Sequence, residues 1–237
     1  ALLLLVAATI IFLNTYAYRS GMHRQLVDVQ LPLLSSDILS RLDKTIMEPS
    51  RGLELAAKNP LLQDWVRKGE PNEGYLDQIY GILESIVDTY NTMGTTFASQ
   101  HTRQYTDLQN GKRDYSYVIS DKDTWFSNFR DGKQPVGITV YVNDPKWGTK
   151  AFVNRRVDVD GAYAGLISIT IDLKDFVKEF SGMTIGKQGR TFIVDAEGIM
   201  RLTADTSQLN KALSALFPAY LDQWSKVAHA DSFSFPY

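Results

Sequence analysis

The sequence predicts an α+β fold, with helices first and a mostly antiparallel sheet after them. Apolar residues between Leu26 and Tyr90 recur at three- and four-residue spacing, and after Met93 the period changes to two. Gly, Asn and Asp turns, not long helices, separate the later runs, so neighbouring strands pair antiparallel. With 44% hydrophobic and 11% aromatic residues in 237, the chain has ample material for a packed core.

The helical part begins at an apolar stretch. Ala1 to Leu13 are apolar apart from Thr9, and Asn14, Thr15, Tyr16, Tyr18 and Arg19 follow. That order matches lipid core, aromatic belt and water. The stretch is shorter than the roughly 20 residues that cross a bilayer. In a chain without an initiator Met, it is expected to be the end of a membrane helix over residues 1–18, anchoring the protein in a membrane. No small-residue cleavage site follows, as a signal peptide would require.

From Leu26 to Ala57, the residues Leu31, Leu34, Ile38, Leu42 and Ile46 mark one face of a long helix, which Pro32 and Pro49 should kink or divide. Its outward stripe could pair with a second copy of the chain, which predicts a homodimer. Asn59-Pro60 is an N-cap and first-turn proline for a short helix ending at Gly69, and a third helix is expected over Tyr75 to Tyr90. These make 19–92 a helical lead-in.

Strands are expected at Thr95–Ser99, Tyr115–Ser120, Gly137–Val142, Lys150–Val157 and Gly165–Leu173. Asp158-Val-Asp160-Gly161 reads as a hairpin turn, since a calcium loop needs a further ligand before its glycine and a Glu at its end. After a helix over Asp172–Phe180, Gly189 to Leu202 reads as a second hairpin, followed by a helix from about Ser207 to Val227 and a new strand near Tyr237.

Composition excludes several functions. The net charge is −2, from 25 basic and 27 acidic residues scattered along the chain, so no clustered basic face serves a nucleic acid. There is no cysteine, and His23, His101 and His229 are far apart, which argues against zinc, iron–sulfur and thiol chemistry and implies no cofactor. No nucleophile stands in a recognisable elbow, so a hydrolase is disfavoured.

Several segments together resemble the double Cache family of extracytoplasmic sensors, from about Gln30 onward. Leu31-Pro-Leu-Leu with Asp64-Trp65-Val-Arg-Lys-Gly69-Glu70 resembles the opening of the subgroup found in diguanylate cyclases, chemoreceptors and histidine kinases. Thr124-Trp125-Phe126-Ser-Asn-Phe129 is similar to the pocket helix of the distal module. Phe152-Val-Asn154 and Gly165 to Ile171 are similar to its last two strands, and Gly189 to Leu202 to the start of the proximal module. The resemblance implies a long N-terminal helix carrying two PAS-like antiparallel-sheet modules, a membrane-distal one over 93–180 and a membrane-proximal one over 181–237, incomplete in this sequence. It further implies a receptor in the bacterial inner membrane whose sensor faces the periplasm and reports a small-molecule ligand to a cytoplasmic output domain.

The residues carry a pocket reading of their own. Trp125 and Phe126 can wall a ligand, and Tyr117 and Tyr141 can add hydroxyls. Ile167, Ile169 and Ile171 share one strand face, expected on the long helix, while Ser168, Thr170 and Asp172 share the other. Asn154 and Arg156 share a face, and Arg156 could fork onto a carboxylate. The amino-acid-binding branch of the family has an Arg two residues before the Trp and an Asp on the last strand; here Asp123 and Thr170 stand there. An ordinary α-amino acid is therefore disfavoured, and a carboxylate, an amine or another polar metabolite stays open. Asp123 could meet a cationic amine or serve as an N-cap. A module that senses a ligand-loaded periplasmic binding protein instead of a free metabolite is the alternative.

Overall fold

The computed structural model describes residues 21, 24–183, 191–194 and 197–218. The expected membrane helix over 1–18, the end of the helix toward Val227 and the strand near Tyr237 lie outside them. No helix among the described residues is long and apolar enough to cross a membrane. Among the described residues, those from 42 to 216 form one compact unit, and those before 42 and after 216 belong to another.

The long N-terminal helical run holds α1 (Leu31–Leu42) and α2 (Glu48–Ala57). Pro32 and Pro49 do not end it. A wide π turn precedes each, Leu26–Gln30 and Asp43–Met47, and the turns close through Leu31 N–H on Leu26 O and Glu48 N–H on Asp43 O. A π turn shifts the carbonyls that a proline ring would otherwise strike, so the chain keeps winding. In the compact unit, α2 buries Leu53, Ala56 and Ala57 against the sheet.

Helix α3 (Pro60–Arg67) starts as expected, with Asn59 Oδ1 accepting from Leu61 N–H at 2.9 Å. Its Trp65 is fully buried and donates Nε1–H to Pro71 O at 2.9 Å. Helix α4 (Leu76–Tyr90) buries Ile79, Leu83 and Ile86 on one face. Tyr90 lies so close to α2 that a Cβ on Gly52 would fall 2.2 Å from its ring.

The sheet has six antiparallel strands in the order β3-β2-β1-β6-β5-β4: β1 (Gly94–Ser99), β2 (Tyr105–Gln109), β3 (Lys112–Asp114), β4 (Val136–Asp144), β5 (Gly148–Val159) and β6 (Ala162–Asp172). One face, with Phe97, Leu108, Val153, Ile167, Ile169 and Ile171, packs in the core that holds Leu53, Ile79 and Leu83. The isoleucine face of β6 thus meets α2, as its alternation requires. The opposite face carries α5 (Thr124–Gly132), whose Phe126 packs with Ala98, Ile119 and Leu166.

Tyr115–Ser120 is not a strand. Apart from a single bridge between Gln104 and Val118, it is held by Tyr105 N–H on Tyr117 O, Ile119 N–H on Arg103 O and the Gln104 amide on Tyr115 O. The neighbouring β2 and β3 were not legible, because Asp and Gln are poor strand formers whose placement here depends on cross-strand partners. After α6 (Lys174–Gly182), a separate two-stranded hairpin joins β7 (Phe192–Val194) to β8 (Met200–Thr203). The expected helix from Ser207 is replaced by a short 3-10 turn, Thr206–Gln208, in which Asp205 accepts from Ser207 N–H, and by α7 (Leu213–Leu216).

Candidate ligand-binding site

The face of the sheet away from α2 is a polar floor laid in rows. Asp107 on β2 stands opposite Thr96 on β1, Thr96 opposite Ser168 on β6, and Ser168 opposite Asn154 on β5. The next row runs Gln109, Gly94, Thr170, Phe152 and Thr139. Gly94 has a definite use there: a Cβ would fall 2.4 Å from Gln109 Cδ, and its absence lets the Gln109 amide cross β1 to donate to Thr170 Oγ1 at 3.4 Å.

A cavity of about 860 Å³ opens over this floor. Trp125 at the start of α5 is one wall, with 40% of its surface exposed. It meets Tyr105 edge-on at 6.1 Å, and Tyr105 meets Tyr117 at 5.6 Å. At the other side Tyr141, Trp147 and Phe152 form a second aromatic group, with centroids 5.4–6.2 Å apart. Asp144 holds that turn by accepting from the Lys146 and Trp147 N–H groups at 2.8 Å.

Seven of the nine residues singled out in the sequence line the cavity: Tyr117, Asp123, Trp125, Tyr141, Asn154, Ser168 and Thr170. Phe126 does not. Successive residues on a helix point about 100° apart, so Phe126 goes into the core, fully buried, when Trp125 faces the cavity. Arg156 also stays out. Its Nε donates to Asp158 at 2.8 Å, its Nη1 to Arg130 O at 3.2 Å, and its guanidinium lies 4.3 Å from the Tyr163 ring centre.

Asp123 stands at the N-cap position of α5 without capping it through its side chain. Its carboxylate accepts from Tyr117 Oη at 2.6 Å, from Ser120 N–H at 2.7 Å and from Ser120 Oγ at 2.8 Å, and not from the backbone N–H groups of the helix it precedes. Those donors, the Tyr117 hydroxyl first, hold its carboxyl below the usual range. It fixes the loop before α5 and so fixes Trp125.

Asp107, Gln109, Tyr105, Trp147 and Phe152 also line the cavity and were not among the sequence candidates. The alternation of β2, with Thr106 and Leu108 buried and Tyr105, Asp107 and Gln109 half-buried, is the signal that could have found three of them. Burial pushes the Asp107 carboxyl up, against the Thr96 and Gln109 donors that pull it down, and pushes the Tyr105 hydroxyl up to about 12. Among the described residues no cluster of His, Asp or Glu could hold a metal.

An open, half-polar cavity on a six-stranded antiparallel sheet, backed by a long N-terminal helix, is an arrangement found in known sensors. The chain has the fold of the Cache-type sensor domains. No family model matches the sequence. Among solved structures, the sensory domain of the Campylobacter jejuni chemoreceptor Tlp3 with isoleucine bound superimposes with a TM-score of 0.58 at 16% identity, covering 89% of this chain and 82% of that one. The ligand-binding domain of the Pseudomonas fluorescens chemoreceptor CtaA with L-serine gives 0.55 at 17% identity, covering 84% and 80%. That of the Pseudomonas aeruginosa PAO1 amino acid chemoreceptor PctC with GABA gives 0.54 at 18%, covering 78% of each. These neighbours are sensory or ligand-binding domains of chemoreceptors.

Proposed function

We propose that this chain is the extracytoplasmic sensor of a transmembrane receptor, a binding module without catalytic activity of its own, and that its ligand is a small polar metabolite. The observation that carries this reading is the cavity of about 860 Å³, a size that suits small-molecule sites, with aromatic walls and a hydroxyl-and-amide floor. Structural neighbours that hold isoleucine, L-serine and GABA support it. A module that reads a loaded binding protein would do better with a filled, dry pocket, so the open cavity favours a free ligand.

In this reading residues 1–18 end the first membrane helix, 19–92 carry the signal, 93–180 form the membrane-distal module that holds the ligand, and 181–237 belong to the proximal module. The sensor faces the periplasm, and the output is a chemoreceptor, diguanylate cyclase or histidine kinase domain. Exposed Val29, Leu33 and Leu39 on the N-terminal helix suit pairing with a second copy. Light scattering on the membrane-embedded receptor should give two copies, and a strict monomer would contradict this part.

Free energy for signalling comes from a ligand that binds one arrangement of the modules better than the other. The test is a thermal-shift screen of small carboxylates, amines and amino acids, followed by calorimetry of each hit on the wild type and Trp125→Ala. A hit whose affinity falls in the variant supports the cavity; hits that bind both proteins equally place the site elsewhere.

A further inference from the structure

The cavity carries an unbalanced charge at one end. Asp107 is half-buried on the β2 wall, and its side-chain donors are neutral: Thr96 Oγ1 at 2.5 Å and Gln109 Nε2 at 3.3 Å. Both bonds fall on Oδ1, so Oδ2 has no side-chain donor among the described residues. No Lys or Arg there forms an ion pair with it.

The other charges on the lining are differently placed. Asp123 is saturated by Tyr117 and Ser120, and exposed Asp114 accepts from Ser116 N–H at 2.8 Å and Ser116 Oγ at 2.6 Å. Lys122 and Lys146 are exposed, and Lys146 lies 4.4 Å over Trp147 at the far aromatic group. Lys150 is on β5, three strand spacings from β2, or roughly 14 Å between backbones. Beside Asp107 stand rings, neutral groups and a second carboxylate, Asp114, opposite it on β3, with Tyr105 two residues before it on the same face and Trp125 and Tyr117 edge-on to Tyr105. Electron-rich ring faces and a carboxylate together bind cations and repel anions.

We propose that Asp107 receives a protonated nitrogen of the ligand, inside a half-cage of Tyr105, Trp125 and Tyr117, so that the cavity selects organic cations such as primary and substituted ammonium compounds. This rests on the cavity being the ligand site. A cation there returns to Asp107 the favourable contact that burial removed, and a hydrogen bond to a charged group is about twice as strong as one between neutral groups. An anionic ligand would place like charges together in a poorly screened space.

The test uses diaminobutane, γ-aminobutyrate and succinate, which share a chain length and differ in their end groups, extended to longer and shorter members of each series. Calorimetry is done on the wild type, Asp107→Asn, Thr96→Val and Trp125→Ala, with circular dichroism as the folding control. The expected result is that an ammonium compound binds the wild type, the matched dicarboxylate does not, and Asp107→Asn weakens binding by about tenfold or more. Thr96→Val, which removes the donor that orients the carboxylate, should weaken it less. Tighter binding of the dicarboxylates, no binding of any ammonium compound at millimolar concentration, or unchanged ammonium affinity in Asp107→Asn overturns the proposal. If Trp125→Ala weakens binding and Asp107→Asn does not, the cavity is the site and only the cation assignment fails. If neither variant matters, the cavity reading fails as well.

Discussion

Trp125 and Phe126 are neighbours in sequence and opposite in use, one a half-exposed cavity wall and the other a sealed core residue. Trp125→Ala should therefore lower ligand affinity by about 1–3 kcal/mol, the worth of a large aromatic surface, with little change in stability. Thr170→Ala should cost about 1 kcal/mol of affinity for one hydrogen bond. Calorimetry with a bound hit measures both. Asp107 adds a pH dependence. Burial raises its folded value, and Asp114 across β3 raises it further, while Thr96 and Gln109 lower it. The folded chain therefore keeps this proton to higher pH than the unfolded chain does. Its share of stability is present in acid and is lost as pH rises from the ordinary carboxylate value, about 3.9, through the folded one. Asp107→Asn should remove that slope and melt higher than the wild type at neutral pH, even as it loses cation binding. A variant that melts lower at neutral pH would contradict this account. For the wild type, ammonium affinity should fall on acidification through the same window.

At the scale of elements, the sequence periods located the helices up to Tyr90 and four of the sheet strands, because a face that must be buried repeats at 3.6 or 2 residues whatever it packs against. The same logic missed β2 and β3 and made a strand of Tyr115–Ser120. In that region a glutamine side chain and two backbone bonds replace a ladder, and period alone does not separate the two arrangements. The π turns before Pro32 and Pro49 were equally invisible, since they are set by how each proline is accommodated. Gly165 illustrates how closely strands pack at the centre of the sheet. Its φ is +153°, and a Cβ would fall 2.2 Å from Ala98 O. Gly165→Ala should cost about 2–5 kcal/mol through strain and overlap together. Urea denaturation tests it, and a loss under about 0.5 kcal/mol would mean the β1–β6 pairing yields more easily than its geometry suggests.

For the whole molecule, a ligand that binds only the folded state must raise the melting temperature. At a concentration one hundred times its dissociation constant it contributes about 2.7 kcal/mol, or about 5–11 °C for a unit of this size. The shift should persist with an isolated ammonium compound and vanish in Asp107→Asn, which ties the global readout to one carboxylate. By itself the sequence determined the fold class, the packed face of β6 and seven of the residues on the cavity lining, because burial periodicity and turn chemistry are local properties of the chain. Only the tertiary structure decided which polar groups converge. Asp107 joins the floor through its pairing with Thr96, a residue eleven positions earlier, and the Asp123 carboxylate on the lining is taken up by Tyr117 and Ser120. Charge on a ligand wall is a matter of which partners come within hydrogen-bond distance, and that is settled by strand register and loop closure.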